Sequence, residues 1–538
     1  MEGLFDGIPI SILTDSYKAG HNRMYPSCTK MVAYGEFRKG FKGKHGHDTD
    51  DTRLVVYGIR YIVETFISKK WTMEDIETAS LFFSTHNAPM FTEYPFPKEL
   101  FEKFVRENDG YFPVKLEALP EGSVVHVHIP VYQITAEDEY APLCTFLETL
   151  LTQIWYPSTV ATLSRRCKDI IEEAFEKTVD GGKLSPLLGS RLHDFGFRGC
   201  TCVEQSVLGG VAHLLNFDGT DTLSAAYYAQ FKLNGGTPVG QSIPATEHSV
   251  MTSWRTEQAA IENMIENFGE GLFACVMDSY DYSAALRDVL PAIREKKVGK
   301  GGFMVLRPDS GDPVEAVLEG LRAADKVFGS EVNSKGYKVI NGAGVIQGDG
   351  INIDTLRDIC TAVEEAGYSL QCVAFGMGGG LLQSVNRDTM SFATKLSHIR
   401  FTDGTSRDIM KAPKTDLSKF SLPGILAVKR EEGVPMVYCT PDAGAGEPLV
   451  APEENLLQVV YDKRPLAVPP WESFSEVRSR LANEWAALPP CVDVLTPQIK
   501  GVIRGIREVQ ARWGGSAGNM TPPRKQSRTQ AISSRLST

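Results

Sequence analysis

Four short apolar segments between residues 270 and 380 are each followed at once by a polar or glycine-rich turn. The turns are DSYD (278–281), RPDSGDP (307–313), GDG (348–350) and GMGGG (376–380). In parallel α/β proteins, ligands bind where the carboxyl ends of the strands meet the amino ends of the helices. We therefore expect the four turns to lie on one rim and to form a binding site there.

The side chains near these turns have the chemistry of a phosphate site. Guanidinium groups bind phosphate through paired hydrogen bonds, and carboxylates hold Mg²⁺ together with water and ligand phosphates. The GMGGG turn adds backbone N–H groups at the start of a helix, which can bind an anion. These features indicate a magnesium-bound polyphosphate substrate, and the residues concerned are Arg198, Arg307, Arg387, Asp278, Asp309 and Asp349.

Each turn taken alone has a simpler interpretation. Gly-Asp-Gly is most often only a turn, GMGGG can be permissive backbone, and Arg-Pro-Asp commonly ends a strand. The chain has no G-x-x-x-x-G-K-[ST] motif, and GMGGGL lacks the G-x-G-x-x-G spacing, so P-loop and dinucleotide-binding enzymes are disfavoured. The prediction of a site depends on the turns coming together in space.

The composition is that of an acidic globular protein. The 538 residues carry a net charge of −11, which argues against binding to nucleic acid or to a membrane surface. No apolar run approaches the ~18 residues of a membrane span, and the start lacks the basic leader of a secretory signal. The ten cysteines are scattered without zinc spacing, which is typical of a reducing compartment. We predict a cytoplasmic protein.

The elements that position the turns follow from the pattern of apolar segments. Between residues 151 and 400, strands alternate with helices, which predicts a parallel α/β catalytic core. Residues 1–150 are mixed α+β, and residues 401–513 return to short strands. We predict a disordered basic tail at 514–538, because this segment has no acidic residue and is rich in Ser, Thr and Gly.

Individual elements are predicted with definite bounds. A helix should begin after Asp312, because Pro313 then occupies the first turn and Glu315 lies three residues after the cap. Residues 39–52 have no apolar periodicity and are predicted to be a loop. We also expect strands at 31–37, 53–57 and 124–131, and helices at 59–68, 354–365 and 471–487.

Eight motifs, in order and at similar spacing, resemble the nicotinamide phosphoribosyltransferase family. The resemblance covers residues 8–411, about three-quarters of the chain. It implies an irregular α/β barrel of the type II phosphoribosyltransferases beside a smaller β-rich domain, built from residues 1–150 and 401–513. It also implies a homodimer with active sites at the interface. The motifs are DSYKAGH (15–21), HDFGFRG (193–199), NFDGTDT (216–222), PATEHS (244–249), DSYD (278–281), RPDSGDP (307–313), VIQGDG (345–350) and AFGMGGGLLQ (374–383).

The resemblance implies a pocket for the nicotinamide ring. Phe195 would stack on one face and Tyr17 of the partner subunit on the other, and Arg307 would touch the amide carbonyl. Asp221 would accept a hydrogen bond from the amide, whereas nicotinate would place a second negative charge there. Phe195 can instead be a core residue, and Asp221 can cap a helix at 223–231. The remaining pocket lining would be Ser242, Ile243 and Ala245.

The resemblance also implies a cationic ring around phosphoribosyl pyrophosphate, partly from the second subunit, for which Arg38 and Lys395 are candidates. His248 would be phosphorylated by ATP, the co-substrate, with Glu247, Asp278 and Asp309 to orient it, and the two aspartates are also tentative Mg²⁺ ligands. The expected phosphoribosyl pyrophosphate ligands are Arg38, Arg198, Arg307, Gly348, Asp349, Gly379, Gly380, Arg387, Lys395 and Lys411.

The implied activity is transfer of a phosphoribosyl group to nicotinamide, giving nicotinamide mononucleotide and pyrophosphate for NAD salvage. Two alternatives remain open at the level of sequence. A nicotinate phosphoribosyltransferase would share the fold and the reaction type, and a non-catalytic phosphosugar or nucleotide sensor would need only the cationic ring. The chain departs from the family at Phe197, where tyrosine is frequent.

Overall fold

The computed structural model describes residues 7–43, 50–412, 420–442 and 447–516. Two six-stranded sheets organise them, one parallel and one antiparallel. Among these residues, no helix combines the length and the apolar character needed to cross a bilayer. In chain order the strands are β1 (Cys28–Glu36), β2 (Arg53–Val55), β3 (Val114–Ala118), β4 (Val124–His126), β5 (Pro130–Glu137), β6 (Leu192–Asp194), β7 (Gly219–Thr220), β8 (Leu272–Val276), β9 (Phe303–Arg307), β10 (Ser330–Val332), β11 (Lys338–Ile340), β12 (Ala343–Gln347), β13 (Val373–Met377), β14 (Ala393–Phe401), β15 (Ser406–Asp408), β16 (Ile425–Glu431), β17 (Val434–Thr440) and β18 (Gln458–Asp462).

Helices cover both sheets. The longer ones are Met73–Phe83, Lys98–Glu107, Trp155–Thr178, Val203–Leu214, Glu257–Phe268, Pro313–Phe328, Ile353–Glu365, Phe474–Ala487 and Pro497–Ser516. Short helices at the active-site turns and elsewhere are Ser16–Gly20, Ile59–Ile62, Glu148–Thr152, Leu223–Tyr228, His248–Ser253, Tyr282–Ala284, Leu290–Ala292, Arg294–Lys300 and Gly379–Leu382.

The parallel sheet has the strand order β7-β6-β13-β12-β9-β8 and curls towards a barrel. Residues 241–246 join its two outer strands. Gln241 pairs with Gly219 of β7, and Ala245 pairs with Ala274 of β8. The side chains of Ala274, Val305 and Ile346 meet inside the curl. This is the predicted barrel-like core, and its strands are apolar on both faces because helices cover the outside.

Local signals fix the helices that follow β9 and β12. The carboxylate of Asp312 accepts hydrogen bonds from the backbone N–H groups of Val314 and Glu315, both 3.0 Å, ahead of Pro313–Phe328. Asn352 forms a capping box with Thr355 at the start of Ile353–Glu365. Both helices therefore begin just beyond the strand ends that carry the polar turns.

The antiparallel sheet has the strand order β15-β14-β1-β5-β3-β18. Three of its strands precede the parallel sheet in the sequence, and the other three follow it. β14 begins at Ala393 and pairs with β1, so the chain has rejoined this sheet before residue 400. The predicted smaller β-rich domain corresponds to this sheet. Next to it, the hairpin β16–β17 contributes residues 425–440.

Three predicted elements differ from the structure. The expected strand at 124–131 is two strands, β4 and β5, because the chain turns at His128, which has φ 68°. The strand expected at 53–57 ends at Val55, and the helix expected at 471–487 begins at Phe474. The last helix runs to Ser516, past the predicted start of the tail at 514.

The rest of the predicted tail, 517–538, and residues 44–49 of the predicted 39–52 loop lie outside the described residues.

Candidate active site

The turns after β8 and β9 place two carboxylates around His248. Its Nε2 lies 3.2 Å from Asp278 Oδ1, and its Nδ1 lies 3.8 Å from Asp309 Oδ2. Arg307, the last residue of β9, donates from Nη2 to Asp309 Oδ1 at 3.1 Å. Residues as far apart in sequence as His248 and Asp309 thus form one polar cluster, because neighbouring parallel strands end at the same edge.

The carboxylate of Asp278 is stabilised in its charged form. Its Oδ2 accepts the backbone N–H of Asp309 at 2.9 Å and the hydroxyl of Ser310 at 2.6 Å. Burial opposes the charge, but the hydrogen bonds from Ser310, Asp309 and His248 outweigh it and lower the pKa of Asp278. A charged Asp278 fixes the orientation of the His248 ring. Glu247 lies next to His248 in the chain but bonds to Ser249 instead.

Phe195 follows β6 and lies across the carboxyl ends of β12 and β13. Its backbone N–H donates to the carbonyl of Met377 at 3.0 Å. A Cβ added to Gly376 would overlap the Phe195 ring, and one added to Gly348 would lie 3.1 Å from ring atom Cε2. The ring is therefore seated on two glycines, and the guanidinium carbon of Arg307 lies 5.4 Å from its centroid. Phe195 is half-buried and also packs against the small apolar cluster inside the curl of the sheet.

Asp221 faces this ring from the turn after β7. Its Oδ1 accepts a hydrogen bond from the hydroxyl of Ser242 at 2.6 Å. The alternative role of helix cap is wrong, because Thr222 occupies the cap position of Leu223–Tyr228 and no side chain caps that helix. A pocket of about 380 Å³ opens here, lined by Phe195, Phe197, Arg198, Asp221, Thr222 and Arg307.

Ser242, Ile243 and Ala245 belong to the segment that closes the barrel. Ile243 packs inside with the Ala274, Val305 and Ile346 cluster, whereas Ala245 is exposed. A second cavity of about 340 Å³ lies inside the barrel and is lined by Ser242, Ile243 and, among others, His193. Burial lowers the pKa of His193. Sequence reasoning did not single out His193 or Gly376, although both lie within the quoted motifs.

The glycine-rich turns approach other backbone closely. A Cβ on Gly380 would overlap the carbonyl oxygen of Ile351, so this turn packs against the turn after β12. In that turn, Asp349 keeps its side chain in solvent and its carbonyl accepts from Gln347 Nε2 at 3.0 Å. Gly379 begins the short helix Gly379–Leu382. Arg387 lies beyond it, exposed and 3.2 Å from Asp388 Oδ1.

The remaining predicted residues form a separate, cationic group on the antiparallel sheet. Arg38 follows β1 and donates to the fully buried Glu36 at 2.8 Å. Lys395 lies on the neighbouring strand β14, and burial lowers its pKa, as do the charges of Arg38, Lys411 and Lys18. Tyr17 precedes Lys18 and is 52% exposed. Within the described residues of this chain, no hydrogen bond or ion pair joins this group to the His248 cluster.

Two models of known protein families match parts of this chain. Residues 190–442 match the model of the nicotinate phosphoribosyltransferase (NAPRTase) family. Residues 9–116 match the model of the nicotinamide phosphoribosyltransferase N-terminal domain. The first match contains the barrel strands, and the second contains Tyr17 and Arg38.

Relatives extend the similarity over most of the chain. The nicotinamide phosphoribosyltransferase of Xanthomonas campestris is 42% identical over 426 residues, covering 78% of this chain and 87% of that protein. The protein of that name from Acinetobacter baylyi is 30% identical over 456 residues, covering 78% and 88%.

Solved structures share the fold. Human nicotinic acid phosphoribosyltransferase has a TM-score of 0.58 at 19% identity, covering 92% of this chain and all of its own. Nicotinate-nucleotide pyrophosphorylase from Pyrococcus furiosus has a TM-score of 0.55 at 15% identity, covering 91% and 98%.

The packing of the Phe195 ring against Gly376 can be tested with the variant Gly376→Ala. We expect the added methyl group to displace the ring and to destabilise the fold by about 1–3 kcal/mol, the usual cost of overpacking. The control is Gly299→Ala in the helix Arg294–Lys300, where an added Cβ meets no atom within 4 Å. Crystal structures and thermal unfolding midpoints of both variants measure the difference. An unmoved Phe195 ring in Gly376→Ala would contradict this account.

Proposed function

The chain belongs to the nicotinamide phosphoribosyltransferase family, and from this premise we propose that it transfers the 5-phosphoribosyl group of phosphoribosyl pyrophosphate to nicotinamide. The products are nicotinamide mononucleotide and pyrophosphate, a step of NAD salvage. The proposal is carried by the pocket in which Phe195, Asp221 and Arg307 face one another. A pyridine amide joined to a sugar phosphate needs an aromatic surface, an acceptor for the amide and a cation.

Asp221 is the proposed selectivity residue. Ser242 donates to its Oδ1, which leaves Oδ2 to accept an N–H of the carboxamide. A hydrogen bond to a charged acceptor contributes about 1.5–3 kcal/mol. The carboxylate of nicotinate would be repelled by up to about 4 kcal/mol at close range. Phe195 would stack on the pyridine ring, with Ile243 and Ala245 beside it.

The chemical step needs positioning more than covalent help. The C1–oxygen bond to pyrophosphate breaks, an oxocarbenium-like ribose develops, and the pyridine nitrogen attacks C1 from the opposite face. Arg307, Arg198 and Arg387 would hold the phosphates while Gly348, Asp349, Gly379 and Gly380 let the backbone approach. Fixed cations at the leaving group and a fixed pyridine supply most of the catalysis.

Magnesium fits this site as an ion held mainly by the substrate. No cluster of three or more metal-ligating side chains exists among the described residues. Asp278 already accepts three hydrogen bonds, whereas among the described residues Oδ2 of Asp309 accepts no hydrogen bond and lies 3.8 Å from Nδ1 of His248. Asp309 is therefore the better of the two proposed ligands, and diphosphate oxygens and water would complete the shell. The ion would neutralise the leaving group.

We further propose that ATP phosphorylates His248. The hydrogen bond of Nε2 to the charged Asp278 favours the tautomer with the proton on Nε2. The lone pair is then on Nδ1, which would attack the terminal phosphorus of ATP and release ADP. Asp309 lies on the Nδ1 side, where an ion bound to it would lie beside the phosphoryl group. Phosphohistidine would couple ATP hydrolysis to synthesis.

The proposed location is the cytoplasm. None of the ten cysteines forms a disulfide in the structure, and seven of them are buried. Buried thiols without disulfides are typical of proteins in a reducing compartment.

A homodimer would bring the two groups of site residues together. Tyr17, Arg38, Lys395 and Lys411 of the partner subunit would then cover the barrel mouth and complete the phosphate ring. Exposed apolar side chains, which mark protein interfaces, flank both groups. Beside the barrel mouth these are Phe197, Leu223, Tyr227, Phe231 and Trp254, and beside Tyr17 they are Leu81, Phe82, Met90 and Phe91.

The activity is tested by mass-spectrometric detection of nicotinamide mononucleotide from purified protein, nicotinamide, phosphoribosyl pyrophosphate and Mg²⁺. We expect kcat/KM for nicotinamide to exceed that for nicotinate by more than about a hundredfold. Asp221→Ser should reduce this ratio at least about tenfold, whereas Asp288→Ser, a change at an exposed surface pair, should not alter it. A preference for nicotinate, or an unchanged ratio in Asp221→Ser, would favour the nicotinate enzyme.

Phosphorylation is tested by incubation with γ-labelled ATP and Mg²⁺. Acid-labile label should appear on the wild type and on the exposed-histidine control His86→Ala, but not on His248→Ala. Asp278→Asn should slow labelling, because the ring loses its charged partner. Label that persists on His248→Ala would assign the phosphate to another residue.

The shared site is tested by mixing two inactive variants, Lys395→Ala and His248→Ala. Lys395 has no acid within 4 Å among the described residues, so its removal leaves no buried carboxylate unpaired. Random reassortment should restore about a quarter of wild-type activity, because half the dimers then hold one intact site. Mixtures that stay as inactive as the separate variants would show that each site is built from one chain.

A further inference from the structure

Asp194 is a fully buried carboxylate that no step of the proposed reaction uses. It is the last residue of β6 and is 0% exposed. Its Oδ2 atom faces Gly210 of the helix Val203–Leu214, because a Cβ added to Gly210 would lie 3.0 Å from Oδ2. Side-chain atoms of Ala225 and Thr222 border the same spot. Burial of an ionisable group at this depth is costly unless the group has partners. Its partners belong to the two turns that form the base pocket.

The first partner is the turn that carries Phe195. Oδ1 of Asp194 accepts the backbone N–H of Gly196 at 2.7 Å, which sets the direction of the chain as it leaves the strand. Phe195 lies between these two residues, so its ring can sit across Gly376 only while this bond holds the turn.

The second partner is the turn that carries Asp221. The backbone carbonyl of Asp194 accepts the N–H of Asp221 at 3.0 Å. The hydroxyl of Thr222 is the neighbouring donor that favours the charged form of the Asp194 carboxyl, although neither Oδ2 nor this hydroxyl has a hydrogen-bond partner of good geometry in the structure. One residue therefore contacts both sides of the pocket.

From these contacts we infer that Asp194 is a positioning residue that sets the spacing between the Phe195 ring and the Asp221 carboxylate. The inference depends on the proposed function, in which these two side chains bind nicotinamide. The hydrogen bonds of its carboxylate and carbonyl go to the two base-pocket turns. Its other link, the strand pairing with Met377 beside the glycine-rich turn, is made by the main chain and does not depend on the carboxylate. We therefore expect its side chain to act mainly on the site of the pyridine amide.

The ionisation of Asp194 gives the role a pH dependence. Burial raises its pKa to about 6, opposed by the Gly196 N–H and Thr222 and reinforced by the charge of Asp221. Burial and the charge of Asp194 both raise the pKa values of two neighbouring groups, Tyr156 and Cys200, and neither of them is a cation. Protonation below pH 6 removes the charge that holds the Gly196 N–H, so the affinity for the base should fall as the pH falls through this value.

The experiment compares Asp194→Asn with Asp169→Asn. Asp169 is a half-buried aspartate whose pKa burial also raises, and it accepts hydrogen bonds from Arg165 and the Trp485 indole, away from the pocket. Asp194→Asn should raise KM for nicotinamide at least about tenfold and KM for phosphoribosyl pyrophosphate by a clearly smaller factor, since Arg198 follows in the same turn. Asp169→Asn should leave both within about twofold. KM for nicotinamide should rise on acidification in the wild type but not in Asp194→Asn. In Thr222→Val the rise should begin at higher pH, because a donor that favours the charge is lost.

Equal increases of both KM values in Asp194→Asn, or no increase, would overturn the inference, as would an unchanged pH profile. If the wild type makes no nicotinamide mononucleotide, the proposed function fails separately. The positioning role is then decided by the crystal structure of Asp194→Asn. A shift of the Phe195 ring relative to Asp221 supports it, and wild-type positions for both reject it.

Discussion

The closure of the parallel sheet by residues 241–246 determines where the polar groups of the barrel mouth lie. This segment pairs with β7 on one side and β8 on the other. As a result, Asp221, which follows β7, and His248, which follows the segment, border the same opening. Without this closure the outer strands β7 and β8 would diverge with the twist of an open sheet. The Ser242–Asp221 hydrogen bond is a direct product of the closure.

Close backbone packing gives the barrel mouth its shape. The Phe195 ring rests on Gly376 and Gly348, and the Gly380 turn rests on the Ile351 carbonyl. Interiors are packed densely enough that one added methyl group displaces its neighbours. The aromatic face of the pocket and the anion-binding turn are thus parts of one packed unit, in which Arg307 lies over the ring while its Nη2 contacts Asp309.

The parts of this fold that could be predicted are those specified by residues within the same short segment of sequence. Asp312 and Pro313 specify the start of a helix wherever they occur before an apolar periodic segment, and the structure confirms that start. The segment at 124–131 was misread because the turn at His128 depends on strand partners distant in sequence. Residues 241–246 have no strand pattern, since Pro244 interrupts them.

Two further residues could not be found from their own segments. The importance of Gly376 depends on the Phe195 ring, 181 positions away. The importance of Asp194 likewise depends on its contact with the turn of Asp221.

The balance of charge differs between the barrel mouth and the antiparallel sheet. At the barrel mouth, Asp278 and Asp309 lie in one cluster with His248 and Arg307. On the sheet, Lys395 lies near Arg38, Lys411 and Lys18, and Glu148 opposes their effect. Burial lowers the pKa of Lys395, and the charges of Arg38, Lys411 and Lys18 lower it further against the opposing effect of Glu148, so an anion brought to this group would stabilise its charge. In the proposed dimer, a diphosphate held between the barrel of one subunit and the sheet of the other would supply that anion. The substrate would then strengthen the same interface that completes its binding site.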